Sequence, residues 1–510
     1  MSIKIKGVLT NSNFCIRKSK YDENVFTNIK NYLTLSTEED IFNKVITKIF
    51  VYEETDDYLI IPKFMANRKI KIDDELNYKF KCTNSFYNPK EINIVFNKTL
   101  RKPQQECIDF VMKKFTENPD PLGGILKCSC GSGKTIMAIY LASILKVKTL
   151  IIVHQEFLMD QWIDRIKAFT DAKVGIIRQK KIELDNDIVI GMLHTICGKE
   201  YEDEFDDFGL VIYDEVHHLG SSFFSKVLLK TSCKYTIGLT ATPERNDGML
   251  KLINWFVGDI LYVLKRKYDY RVLIKRIYFS SKNPLFVEKT RRFDRKSCPD
   301  NITMKTNLIA IPTRNELIIK IINTVKSLGR KIFIFSDRVE HLNTLKNGID
   351  EIIKQNNEEH IYKTCYYMGS SKKSERKIAE NEGDIIFATL KLAEEGLDIS
   401  RLDTIILALP IKQEKTIIQS IGRILRKDEI DDLSKIPLVI DISDMFSIYK
   451  NWAKKRNVVY RKENWFVQDY YFNDLEYTFF EGEAEKNPMN IIFDDIDDED
   501  FIEKNLIIKK

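Results

Sequence analysis

No two of the nine cysteines, at positions 15, 82, 107, 128, 130, 197, 233, 298 and 365, stand in a CxxC spacing, and their number is odd. Both facts tell against a disulfide framework or a zinc ribbon and leave reduced thiols in a reducing compartment as the plain reading. Glycine (20) and proline (12) are sparse over 510 residues, which excludes a collagen-like or low-complexity chain. Long hydrophobic runs are missing too. The most apolar ones, Leu150 to Val153 and Thr404 to Pro410, are strand-length and far short of a membrane span. The N-terminal MSIKIKGVLT has lysines but no apolar stretch behind them, so no secretory signal is read. With 44% hydrophobic and 30% charged residues, the expectation is a soluble intracellular protein of about three domains, with no membrane partner.

Charge of one sign is also lacking overall: 80 Lys+Arg face 75 Asp+Glu, and a net +5 says nothing about partners. Its distribution says more. Residues 261–300 hold 12 basic and 4 acidic side chains, while residues 471–510 hold 4 basic and 12 acidic. The basic stretch, interleaved with Tyr262, Tyr268, Tyr270, Tyr278 and Phe279, fits either a phosphate-tracking surface or a solvated linker. The acidic end reads as a self-repelling tail.

No short-period repeat is present. From about residue 100 to 440, β-branched apolar runs alternate with helical patterns, which is the signature of parallel sheets with crossover helices. Strands are expected at Gly124–Lys127, Thr149–Val153, Ile188–Ile190, Leu210–Tyr213 and Ile237–Leu239. After the basic stretch they recur at Lys331–Phe335, Thr364–Tyr367, Asp384–Ala388, Thr404–Leu409 and Leu438–Asp441. The fold class read is α/β, with two tandem parallel-sheet lobes, an N-terminal accessory domain and a short C-terminal extension. The expected boundaries are 1–98 accessory domain, 99–260 first lobe, 261–308 basic linker, 309–445 second lobe and 446–510 extension with acidic tail.

The segment GGILKCSCGSGKTIMAIYLASIL is the most informative in the chain. An apolar strand runs into Cys130-Gly131-Ser132-Gly133-Lys134-Thr135, and a helical pattern follows at once. Glycines let backbone N–H groups turn onto phosphate oxygens, and the helix N-terminus adds its partial positive charge. Lys134 would neutralise the β/γ-phosphates and the Thr135 hydroxyl would ligate Mg²⁺. The phosphate-loop pattern asks for glycine where Cys128 stands, a departure that leaves the two loop glycines intact.

Such a loop needs a carboxylate at the end of a neighbouring strand. LVIYDEVHH provides one: Asp214 would hold the metal, and Glu215 would orient and deprotonate the attacking water. Two adjacent acids closing a buried strand have few bland explanations, because ionised carboxylates avoid burial unless they meet a cation. His217 and His218 follow; a surface turn is their plain reading, and one of them is expected to be a coupling residue. Loop and acid pair together indicate an NTPase using Mg²⁺.

These residues resemble superfamily 2 helicases and translocases. Asp214-Glu215-Val216-His217 looks like their DExH box, and Thr240-Ala241-Thr242 like the motif that links hydrolysis to nucleic-acid grip. Pro243 to Gly248 is similar to the branch that includes the xeroderma pigmentosum group B helicase, phage UvsW and large-DNA-virus helicases, except that Asn246 replaces an acid. Leu100 to Gln104 resembles the branch's adenine-reading element, which would assign Arg101 and Gln104 to the nucleotide. TLIIVHQEFLMDQW resembles the motif that touches the tracking strand, with His154-Gln155 in place of Pro-Thr. Thr389 and Glu395-Gly396-Leu397-Asp398 look like the motif that contacts nucleic acid and nucleotide, Gly396 and Asp398 on the ATP side. QSIGRILR carries the candidate catalytic residues Gln419, Arg423 and Arg426, of which the two arginines resemble the family's arginine fingers.

The resemblance implies two RecA-like lobes with ATP between them and a nucleic-acid-stimulated ATPase stepping 3′ to 5′ on DNA. It implies a working monomer, with transcription or replication machinery as candidate partners and a viral source compatible with the composition. Three alternatives stay open: an RNA helicase with the same motor, a nuclease-linked motor of the restriction type, for which residues 1–98 and 445–510 offer no metal-nuclease constellation, and a non-enzymatic nucleic-acid-binding subunit.

Overall fold

The computed structural model describes residues 2–38, 46–66, 68–72, 76–85, 89–117, 121–128, 132–199, 201, 204–219, 225–231, 233–241, 249–264, 272–293, 296–389, 402–412, 421, 436–473, 478–481 and 484–486. The chain divides into two compact units, Met1–Arg266 and Lys267–Lys510.

The first unit begins with a six-stranded sheet. Its order is Glu53–Glu54, Tyr58–Pro62, Asn13–Arg17, Ser2–Leu9, Asn77–Asn84 and Lys69–Lys71. Strand Ser2–Leu9 alternates, with Ile5 and Leu9 buried and Lys4 and Lys6 exposed, so one face packs and the other is bare. Helix Glu23–Tyr32 covers the packed face with Phe26 and Ile29.

The second sheet of this unit has eight strands. From one edge they run Lys181–Ile182, Val174–Arg178, Ile188–Met192, Thr149–Val153, Leu210–Tyr213, Tyr235–Thr240, Leu122–Cys128 and Ile260–Leu264. All pair in parallel except the two-residue edge strand. The central strands are buried on both faces, as their continuous apolar runs require.

The two sheets are welded by the segment Lys63–Met65. Lys63, 1% exposed, extends its Nζ to the carbonyl oxygens of Cys233 and Lys234 (3.2 Å to the latter) and the Thr236 hydroxyl (2.7 Å). The Phe64 ring lies where side chains on Gly123 and Gly258 would be, within 2.8 Å of a Cβ built at either position. Arg68 closes the seam on Asp259 (2.9 Å) and the Asn254 carbonyl (3.2 Å).

The second unit holds a nine-stranded sheet: Thr364–Tyr367, Ile385–Thr389, Ile332–Ser336, Thr404–Leu407, Leu438–Asp444, Leu273–Ser280, Phe466–Asn473, Thr478–Glu481 and Ala484–Lys486. Helices Pro312–Ser327 and Val339–Gln355 pack on it through Ile318, Ile322, Leu342 and Leu345.

Two expectations need correction. The stretch 261–308 is no bare linker: Ile260–Leu264 is the edge strand of the first sheet, and Leu273–Ser280 lies between two strands of the second. Two of its charged side chains are taken up inside the fold. Arg276 makes a two-pronged bond to Asp469 (2.8 and 2.7 Å), and Lys275 donates to the Tyr470 hydroxyl (3.2 Å). The extension from 446 is likewise no appendage, because helix Ser447–Lys462 and strand Phe466–Asn473 complete the second sheet. The acidic segment 491–510 lies outside the described residues.

Candidate active site

Strand Leu122–Cys128 leads into the loop whose Ser132 and Gly133 are described, and helix Lys134–Leu145 starts immediately after. Gly133 has φ +84°, left-handed, and a Cβ there would stand 2.1 Å from the Gln104 side-chain nitrogen. Only glycine fits. Cys128 ends the strand, fully buried and in extended backbone, so no glycine is required at that departure from the phosphate-loop pattern. Its thiol shares a hydrogen bond with that of Cys107, and that bond, together with Lys134 and against the effect of burial, holds it below the usual thiol range.

Gln104 and Arg101 meet this loop directly. The Gln104 amide donates to the Ser132 carbonyl (2.9 Å) while its oxygen accepts from the Arg101 backbone N–H (3.0 Å), and the Arg101 guanidinium reaches the same carbonyl (3.2 Å). The expected adenine reader thus also touches the phosphate loop.

The acid pair closes strand Leu210–Tyr213. Glu215 sits at φ +45°, a conformation that costs a non-glycine residue energy and that structures retain mainly at functional positions. Its carboxylate meets the Lys134 ammonium at 2.7 Å and His217 Nδ1 at 3.4 Å. His217 Nδ1 lies 3.1 Å from the Thr240 hydroxyl, at the end of strand Tyr235–Thr240. One contact line therefore joins Lys134, Glu215, His217 and Thr240, drawn from three separate segments.

Half-buried Asp214 accepts from the Trp162 indole N–H (2.9 Å) and from the Glu215 backbone N–H (3.0 Å). Burial, then the neighbouring Glu215 charge, pushes its carboxyl up, against the pull of Lys134. A carboxylate made costly in this way favours a cation beside it. The glycine cradle, the helix N-terminus, Lys134, the Thr135 hydroxyl and Asp214 together fit a nucleoside triphosphate with its divalent ion.

Two participants were not assigned a place at the acid pair from the sequence. Trp162 and His154 both belong to the segment expected to touch a nucleic-acid strand. The His154 ring stacks on His218 (centroids 4.0 Å apart, 29°), and His218 lies 4.3 Å from His217. Three rings thus lead from the end of strand Thr149–Val153 to Glu215. A signal was available: a buried indole needs an acceptor for its N–H, and the strand before His154 is wholly apolar.

Thr389 ends strand Ile385–Thr389 in the second unit, half-buried. Cys130, Gly131, Thr242, Gly396, Asp398, Gln419, Arg423 and Arg426 lie outside the described residues. Among those described, no helix is long and apolar enough to cross a membrane, and no cluster of His, Cys, Asp and Glu forms a metal site of its own.

Comparison with known proteins agrees with this geometry. Residues 97–245 match the profile of the type III restriction enzyme res subunit, and residues 313–428 match the helicase conserved C-terminal domain. A protein of Acanthamoeba polyphaga mimivirus, named an ATP-dependent RNA helicase, is 34% identical over 487 residues, covering 93% of this chain and 89% of that one. A protein of Sulfurisphaera tokodaii, named the DNA 3′-5′ translocase XPB2, is 32% identical over 257 residues, covering 48% of this chain and 57% of its own. Among solved structures, a fragment assigned to the HsdR subunit of a type I restriction enzyme of Vibrio vulnificus superposes with a TM-score of 0.53 at 17% identity. It covers 74% of this chain and 70% of its own, a likeness of fold.

Proposed function

We propose, for a chain that belongs to superfamily 2 of the helicases and translocases and is by that membership an ATP-dependent nucleic-acid helicase, a motor that translocates 3′ to 5′ on DNA and remodels duplexes or transcription complexes. The observation that carries the mechanism is the contact line from Lys134 through Glu215 and His217 to Thr240. The γ-phosphate competes with Glu215 for the Lys134 ammonium. When phosphate wins, the Glu215 carboxylate is released to accept a proton from water, and His217 carries the rearrangement to Thr240.

Thr135 and Asp214 would hold Mg²⁺, which supplies charge neutralisation on the phosphates when bound. Gln104 and Arg101 would read the adenine, with Cys130 to Lys134, Gly396 and Asp398 completing the nucleotide contacts. Arg423 and Arg426, with Gln419 beside them, would stabilise transition-state charge, so that turnover depends on both units. Thr242 and Thr389 would grip the polymer backbone, which makes binding salt-sensitive and sequence-tolerant.

The name of the mimivirus relative supports a second reading, RNA as the polymer, and one measurement separates the two. Steady-state ATPase is compared with no polymer, single- and double-stranded DNA, RNA, and RNA–DNA hybrid. Stimulation by DNA over RNA is the expected outcome; stimulation by RNA alone replaces DNA with RNA. In the same assay Glu215→Gln should keep ATP binding and lose turnover by about 100-fold or more. Residual turnover near wild type would remove Glu215 from the role of base.

A further inference from the structure

The open face of the N-terminal sheet carries a ladder of lysines. Across the sheet Lys4 pairs with Lys79, Lys79 with Lys69 on its other side, and Lys6 with Lys81. All five are exposed, on three adjacent strands and on the same face. Neighbouring strands lie about 4.8 Å apart and alternate residues about 7 Å apart. Five ammonium groups therefore share a patch on the order of 10 Å by 7 Å.

Like charges directly opposite one another weaken a sheet, and a surface shaped for solubility alone intersperses both signs. Here no acid interrupts the ladder: the other exposed positions of these three strands are Ser2, Val8, Thr83, Asn84 and Lys71. Lys71 is left out of the set because it adjoins Asp73, Asp74 and Glu75 in the sequence. Aromatic side chains are equally missing from these exposed positions, which removes the stacking platform that single-strand binders use. What remains is a polycationic surface that can hold phosphates and cannot hold splayed bases.

The patch is also rigidly attached. Lys69 follows directly on the Lys63–Arg68 weld, so a grip made by this face is fixed to the lobe that carries Lys134 and Glu215. We propose that the lysine face of the N-terminal sheet binds the phosphate backbone of a nucleic-acid duplex, as a second grip separate from the strand the motor steps along. This rests on the reading of the chain as a nucleic-acid motor, and its test does not require the motor to run.

The experiment uses the full chain without ATP and a labelled blunt 20-base-pair DNA duplex, with an RNA duplex of the same sequence as a second arm. Fluorescence anisotropy is followed across a salt series. The variant with Lys4, Lys6, Lys69, Lys79 and Lys81 all changed to Gln should bind the duplex at least tenfold more weakly at low salt. Its log–log salt slope should flatten by about 4, as five lost phosphate contacts require. The matching five-Arg variant should keep both affinity and slope, because only charge is used. Wild-type affinity and slope in the five-Gln variant would overturn the proposal, as would equal losses in the five-Arg variant. If the five-Gln chain melts early, Lys4→Gln with Lys79→Gln reads the same quantity, with an expected change in slope of about 2. ATPase stimulated by a short single strand should stay within twofold in these variants. Its absence from the wild type would refute the motor reading and leave the duplex result standing.

Discussion

At the scale of single residues, the contacts of Glu215 explain how one carboxylate can be both silent and ready. Bonded to Lys134 at 2.7 Å, its carboxylate is held by the ammonium. Any group that draws Lys134 away frees it to accept a proton. The three stacked histidines give this switch a second input, since His154 sits at the head of the helix Glu156–Phe169, whose Trp162 also anchors Asp214. Replacing His154 with Ala removes the far ring and leaves every direct contact of Lys134, Asp214 and Glu215 described above intact. ATPase without polymer should remain within about twofold of wild type, while polymer-stimulated kcat falls by about tenfold, on the order of 1.4 kcal/mol of coupling. Equal loss of both activities in steady-state assays would make His154 merely structural.

At the scale of elements, two packing devices carry measurable weight. Phe64 fills a slot that Gly123 and Gly258 leave open, so Phe64→Ala should cost about 3 kcal/mol in urea unfolding of the first unit. The second device is the helix Val339–Gln355, which buries His341 completely against Ser336 and Asn315 (3.2 Å each). Because Asn315 Oδ1 can only accept, the ring donates from Nε2 and accepts the Ser336 hydroxyl at Nδ1. Burial, helped by the Arg314 charge, lowers its pKa to about 3 from the ordinary 6.5. The folded chain therefore keeps the ring neutral where the unfolded chain protonates it. Stability is fully present above pH 6.5 and is lost as pH falls towards 3. Between pH 7 and 5 this one group should remove about 2 kcal/mol, seen as a falling melting temperature that His341→Gln flattens.

At the scale of the whole molecule, each unit has its own sheets and core, and the proposed chemistry draws on residues of both. Arg423→Ala tests that division directly. Nucleotide affinity should change little, while kcat should fall by about 1,000-fold, as for the loss of an arginine finger. A variant that turns over normally would confine the reaction to the first unit.

Much of this was legible in the order of residues because the information is local. Strands Thr149–Val153, Leu210–Tyr213 and Thr364–Tyr367 have the expected ends, since runs rich in β-branched and aromatic residues leave the backbone few alternatives. The candidate phosphate loop and acid pair are also read from short motifs, whose glycine and carboxylate requirements are set by chemistry within a few residues. Membership of superfamily 2 followed from the same motifs. Long-range pairing was not legible. Arg276 and Lys275 looked like solvated linker charges until Asp469 and Tyr470, nearly two hundred residues on, took them up. Charge and hydropathy describe a residue's own preference, whereas burial depends on the partner that the fold brings to it. For the same reason only the tertiary structure could bring His154, His218 and His217 into one stack, weld Lys63 to the strand of Thr236, and set five scattered lysines side by side on one face.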